Sequence, residues 1–193
     1  ILFVGRPEKR KGLKYLLRAF ILIKGQVPDA RLIVVGAGDF SRYERLIETK
    51  DDVVFRSYIP YDELPRYHRS ASVFCAPNTG GESQGYVLLE AMASGMPVVA
   101  SNIEGFAGVI TDELEGLLVR PKDPKAIAAG IMRVLRTPGP SREMGKRGQA
   151  QAAHYSWDNV ARRVMAYYER LMYEHQQVAD SVAQRQALPA VSE

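Results

Sequence analysis

Two acids in the stretch GGESQGYVLLEAMASGMPVVAS, residues 80–101, sit where acids are uncommon. Glu82 lies in a glycine-rich loop, and Glu90 falls inside an apolar pattern that reads as a helix from Tyr86. A carboxylate is seldom fully buried unless something pairs with it. The two acids are eight residues apart. Along a helix that is a rise on the order of 12 Å and a return to within about 80° of the same face. Carboxylates so spaced can accept hydroxyl hydrogens at the two ends of one elongated ligand, and the separation is comparable to that between the sugar and the ribose of a nucleotide sugar. For Glu90 the plainer alternative is a helix carboxylate met by a backbone group or a basic side chain.

Cations gather in a second loop, GRPEKRKG at residues 5–12, which sets Arg6, Lys9, Arg10 and Lys11 between an apolar run and a helical pattern. Basic side chains beside a helix N-terminus suit a phosphate or diphosphate, Arg through its fork of donors and Lys as a compact charge. A solvent-facing charged turn has the same composition, so this loop alone does not decide. Gly80, Gly81 and Gly85 would let backbone approach a ligand closely. The helix that follows them directs unpaired N–H groups at whatever sits there. His68, His154 and His175 are scattered and read as surface or packing residues. With no metal-ligand spacing, no metal or other cofactor is expected.

The elements that must hold these loops alternate along the chain. Apolar runs predict strands at Leu2–Val4, Arg31–Val35, Val53–Arg56, Val73–Ala76, Pro97–Ala100 and Leu117–Val119. Helical patterns fall between them at Gly12–Lys24, Ser41–Thr49, Asp62–Arg69 and Tyr86–Ser94. Strands apolar on both faces and separated by helices imply an α/β fold, a doubly wound parallel sheet of Rossmann type. Such a sheet binds ligands at the carboxyl ends of its strands. Three more helices are expected. Pro124–Leu135 follows Asp123, an N-cap with Pro at the first helical position. Ser141–His154 is basic, and Ser156–Glu174 carries Trp157, Val160, Val164, Tyr167, Tyr168 and Leu171 as a core-facing stripe. A domain over residues 1–177 and a mobile tail over 178–193 complete the expected organisation.

Composition narrows the classes. Of 193 residues, 46% are hydrophobic and 25% charged, as in an ordinary globular domain, and no apolar run is long enough to cross a bilayer. A single cysteine, Cys75, cannot form an internal disulfide, which suits a reduced, cytoplasmic setting. The net charge of +4 could serve nucleic acid or an anionic membrane, but solvated helix faces explain it as well. No zinc spacing or nucleic-acid motif supports nucleic acid as a partner.

The arrangement Glu82-x7-Glu90 in ESQGYVLLEAMASGMPVVAS resembles the signature of retaining glycosyltransferases of the group 1 family, which have the two-domain GT-B fold. GRPEKRKG is similar to that family's phosphate-binding loop, and EGLLVRPKDPKAIAAGI and YSWDNVARRVMAYYERL extend the likeness over residues 1–175. APNTGGESQGYVLLEAMASG resembles in particular the bacterial phosphatidylinositol mannosyltransferases, which use GDP-mannose. The resemblance implies a nucleoside diphosphate sugar as donor. Arg6 and Lys11 would hold its diphosphate, Glu82 would lie against its sugar hydroxyls, and Glu90 would bind the ribose. Backbone at Gly5, Gly81, Gly85, Tyr86 and Val87 would face the donor, with the base near Tyr58 and Ile59. Ser57 stands where family members often carry glycine.

The resemblance further implies that this chain is the C-terminal half of the fold. An N-terminal acceptor-binding domain is then expected outside it, in keeping with a sequence that opens on the buried-strand pattern ILFVGR. The isolated half is expected to bind donor without transferring sugar. A lipid acceptor would bring the whole protein to the inner face of the plasma membrane through that other half. A dehydrogenase is disfavoured because GRPEKRKG is not a G-x-G-x-x-G turn and Asp39 in GAGDF is poorly placed for a ribose. A sugar-nucleotide epimerase or a non-catalytic nucleotide-binding module remains open.

Overall fold

The computed structural model describes residues 1–47 and 50–187, with side chains except at 50, 182 and 184–187. The six apolar runs form one sheet: β1 (Leu2–Val4), β2 (Leu32–Val35), β3 (Val53–Arg56), β4 (Phe74–Ala76), β5 (Val98–Ser101) and β6 (Leu117–Val119). All neighbours are parallel, in the order β3-β2-β1-β4-β5-β6. Each strand agrees with its expected range to within one residue at either end.

Helices cover the sheet. On one face α1 (Leu13–Lys24) packs against α6 (Pro124–Arg136). Their Leu16, Phe20, Ile127 and Ile131 join Phe3, Cys75 and Val99 in one core cluster. The sequence neighbours Leu2, Phe74 and Val98 point the opposite way by two-residue alternation, and they too are fully buried. Burial on both faces is why these strands read as unbroken apolar runs. Elsewhere α4 (Tyr86–Ala93) packs against β5 and α7 (Pro138–Ala153).

Local chemistry marks some of the helix starts. Asp123 Oδ1 accepts from the amides of Lys125 and Ala126 at 2.9 and 3.1 Å, capping α6. The helix α3 (Leu64–Ser70) carries Pro65 in its first turn, where no N–H is needed. The helix expected over Ser41–Thr49 is shorter, α2 (Ser41–Glu44). After it the amides of Leu46 and Ile47 bond three residues back rather than four, so the coil tightens and stops; Thr49 lies outside the described residues. One four-residue helix, α5 (Glu104–Ala107), was not foreseen.

The chain divides into two units, Ile1–Ala153 and the segment from His154 onward. The second is built on one long helix, α8 (Trp157–Ala187), with the Ser156 hydroxyl accepting from the Asn159 amide at 3.4 Å. It runs past its expected end at Glu174, and only 188–193 of the expected tail lie outside the described residues. Within this unit no described residue covers the expected stripe: Trp157, Val164, Tyr167, Tyr168 and Leu171 are exposed. Spacing identifies the apolar face of a helix but not whether anything covers it.

Candidate active site

The strand order reverses direction between β1 and β4, and two loops leave the carboxyl ends of these strands at that point, where open α/β sheets bind ligands. One is the cationic loop, residues 5–12, and the other is the glycine-rich loop, residues 77–85. Backbone contacts stitch them together. The Thr79 amide donates to the Arg10 carbonyl at 2.8 Å. Gly12, in the left-handed region at φ 73°, lies so close to Pro77 that a Cβ would come within 1.8 Å of its carbonyl oxygen.

At this seam the structure brings Lys11 and Glu82 into contact. Lys11 Nζ lies 2.5 Å from Glu82 Oε1, and both side chains are only 11% exposed. Arg10 Nη1 reaches the same oxygen at 2.6 Å and the Gly81 carbonyl at 3.0 Å. Asn78, almost fully buried, donates to it from Nδ2 at 2.9 Å. Three donors therefore converge on Oε1, and none among the described residues reaches Oε2. Two glycines make room. A side chain on Gly5 would press on the Phe3 ring at 3.1 Å, and one on Gly105 of α5 would strike the Glu82 carbonyl at 2.1 Å.

Arg6 stands outside this contact. Its side chain is 66% exposed and pairs with Glu8 at 2.9 Å, and Glu8 also holds Arg10 at 2.7 Å. Gly85 occupies the left-handed region at φ 71° and starts α4. The amides of Tyr86 and Val87, in the first turn, have no acceptor among the described residues.

Glu90 is on the same helix but in a different setting. Its Oε1 accepts from the Tyr61 hydroxyl at 3.3 Å. It lines a pocket of about 280 Å³ between α3 and α4, with Tyr61, Leu64, Pro65, His68, Arg69, Ala93 and Ser94. Neither Glu82, Lys11 nor Arg6 lines that pocket. Burial raises the Glu90 carboxyl above its ordinary range, and the Tyr61 hydrogen bond opposes the rise. Only Tyr86 to Glu90 is helical, so a loop as well as a helix sets the separation of the two acids. Tyr58 is 77% exposed on the loop after β3, next to the half-buried Ile59.

Of the histidines, His68 is a packing residue: 2% exposed, 5.6 Å from the Phe74 ring, with neither ring nitrogen bonded. Burial lowers its pKa to about 4, which keeps it neutral. Asp39 accepts from the Ser41 amide at 2.8 Å and serves the start of α2. Among the described residues no three His, Cys, Asp or Glu side chains converge in a way that could hold a metal ion, and no helix is long and apolar enough to cross a membrane. Sequence reasoning did not single out Asn78, Glu8 or Tyr61. Only Asn78 had a signal, a buried-type position after a strand and four residues before Glu82.

Comparison with known proteins agrees with the fold and adds a family. The model for glycosyl transferases group 1 matches residues 1–151. The chain is 38% identical over 185 residues to a phosphatidyl-myo-inositol mannosyltransferase of Mycobacterium tuberculosis, covering 88% of this chain and 46% of the relative. It is 37% identical over 177 residues to an uncharacterized glycosyltransferase of Methanocaldococcus jannaschii, covering 89% and 45%. Among solved structures, sucrose-phosphate synthase from Thermosynechococcus elongatus superposes with a TM-score of 0.79 at 32% identity, covering 90% of this chain and 45% of that one. The chain thus spans about half the length of the curated relatives it matches.

Proposed function

This chain belongs to the group 1 glycosyl transferases, and on that footing we propose that it is the donor-binding half of a retaining hexosyltransferase. Its donor is a nucleoside diphosphate sugar. The observation that carries the reading is the single carboxylate oxygen of Glu82 held by Lys11, Arg10 and Asn78 at the carboxyl ends of β1 and β4. That arrangement leaves Oε2 to accept sugar hydroxyls and sets two cations beside the place where the diphosphate would lie.

Breaking a sugar–phosphate bond builds positive charge at the anomeric carbon and negative charge on the departing diphosphate. Lys11 and Arg6, with the amides of Tyr86 and Val87 at the positive end of α4, stabilise that negative charge. The chain itself supplies this charge, so the proposed reaction is metal-independent. Glu90 binds the ribose, and the base lies near Tyr58 and Ile59. The likeness to the mycobacterial mannosyltransferase supports mannose as the transferred hexose and phosphatidylinositol as the acceptor class, with GDP-mannose the donor that the sequence resemblance implies. A lipid acceptor would hold the whole protein at the cytoplasmic face of a membrane. The acceptor is bound by a domain outside these residues, so the chain alone binds donor and transfers nothing.

Titrating the chain calorimetrically with GDP, UDP, ADP and their sugar conjugates tests this. One nucleoside diphosphate should bind at least tenfold more tightly than its free nucleoside, and Lys11→Ala should erase most of that difference. Equal affinity for nucleoside and nucleoside diphosphate in the unaltered chain would remove the phosphate role.

A further inference from the structure

We propose that Asn78 is a positioning residue. It keeps Glu82 aimed at the donor sugar while Lys11 and Arg10 are drawn toward the diphosphate. The inference rests on the donor-binding reading above and concerns how that site works when loaded. In this structure Lys11 and Arg10 both spend donors on Glu82 Oε1, at 2.5 and 2.6 Å. A bound diphosphate is a second and more highly charged anion beside the same two cations, and it competes with Glu82 for their N–H groups. Whatever holds Glu82 only through those cations loosens when the ligand arrives.

Asn78 is the one donor on Glu82 without that conflict. Its amide is neutral, and a neutral group is not drawn strongly to phosphate. It is 2% exposed, so its Nδ2–H would be left unsatisfied if it released Glu82, at a cost that keeps the bond made. Its position is also fixed from below. It follows Pro77 directly after β4, and the Pro77 carbonyl is the atom against which Gly12 packs. The Asn78–Glu82 bond closes the glycine-rich loop across four residues at 2.9 Å, a hold on the carboxylate that does not depend on either cation.

The test compares two ligands that differ only in the sugar. The affinity of the chain for GDP and GDP-mannose is measured, or for UDP and UDP-glucose if the guanine pair does not bind. Asn78→Ala and Asn78→Val, neutral side chains that cannot donate, should each weaken the sugar nucleotide about fivefold relative to the bare diphosphate. Affinity for the bare diphosphate should stay within twofold of the unaltered chain. Glu82→Gln should lower the same ratio, and combining it with Asn78→Ala should add nothing. A thermal midpoint confirms that each variant is folded. If Glu82→Gln lowers the ratio and neither Asn78 variant does, or if the Asn78 variants weaken both ligands equally, the positioning role is wrong while the donor reading stands. If Glu82→Gln leaves the ratio unchanged, the donor reading fails and takes this proposal with it.

Discussion

Lys11 and Glu82 show how much of a site residue types can reveal. Acid and cation were both visible as unusual choices for their places, and the structure makes them partners at 2.5 Å. What residue types did not reveal is who else shares the carboxylate. Arg10 contributes through a distance that no local pattern encodes, since it and Glu82 lie 72 positions apart, whereas Asn78 stands only four positions from Glu82. His68 is the converse case, legible only as a scattered histidine. Once buried and unbonded it has consequences for stability. Its folded pKa is about 4 against an ordinary 6.5, so the folded state refuses a proton that the unfolded chain accepts. The neutral form is fully favourable above pH 6.5, and its contribution is lost as pH falls from 6.5 toward 4. At about 1.4 kcal/mol per pKa unit this group alone removes about 3 kcal/mol over that window. His68→Phe should flatten the acid limb by that amount in urea titrations at pH 7 and pH 4; an unaltered pH dependence would show that His68 is not the group responsible. Glu90 acts in the opposite sense. Its raised folded pKa contributes stability at low pH that is lost as pH rises through it.

Among the elements, strands were the most legible, because burial on both faces writes itself as an unbroken apolar run. Helix starts with a chemical marker, such as Asp123 before α6, were equally plain. The short helices were not. α2 stops after four residues where the bonding tightens, and α5 is too brief to show a period. Yet α5 bears on the site, since its Gly105 packs on the Glu82 backbone and its Phe106 on Gly85. The junction between the cationic and glycine-rich loops depends on Gly12 in the same way. At φ 73°, with a Cβ destined to lie 1.8 Å from the Pro77 oxygen, Gly12→Ala combines backbone strain with a hard clash. It should cost about 3 kcal/mol in equilibrium denaturation and weaken nucleoside diphosphate binding by parting the loops. Gly139→Ala, where nothing lies within 4 Å, should change stability by less than about 0.5 kcal/mol. Similar losses from both would mean the junction is not special.

At the scale of the whole molecule, every buried apolar side chain among the described residues falls between Leu2 and Ala152. The first unit, Ile1–Ala153, therefore has a core of its own. A chain ended after Ala153 should unfold in one cooperative transition with a midpoint within a few degrees of the full chain, followed by circular dichroism; a broad, non-cooperative melt would show that the core extends further. Family membership belongs to this scale too, since the match spans residues 1–151 rather than any one motif. The order of apolar runs and helical patterns by itself determined the parallel sheet, because periodicity and handed connections leave few ways to wind such a chain. The same order determined that the two chemically unusual loops follow strands. Tertiary structure alone decided that β1 and β4 are neighbours, that three donors from two loops meet on one oxygen of Glu82, and that Glu90 lines a pocket with Tyr61. The reason is the same in each case: periodicity is a property of a segment, whereas pairing and coverage depend on what the rest of the chain brings alongside.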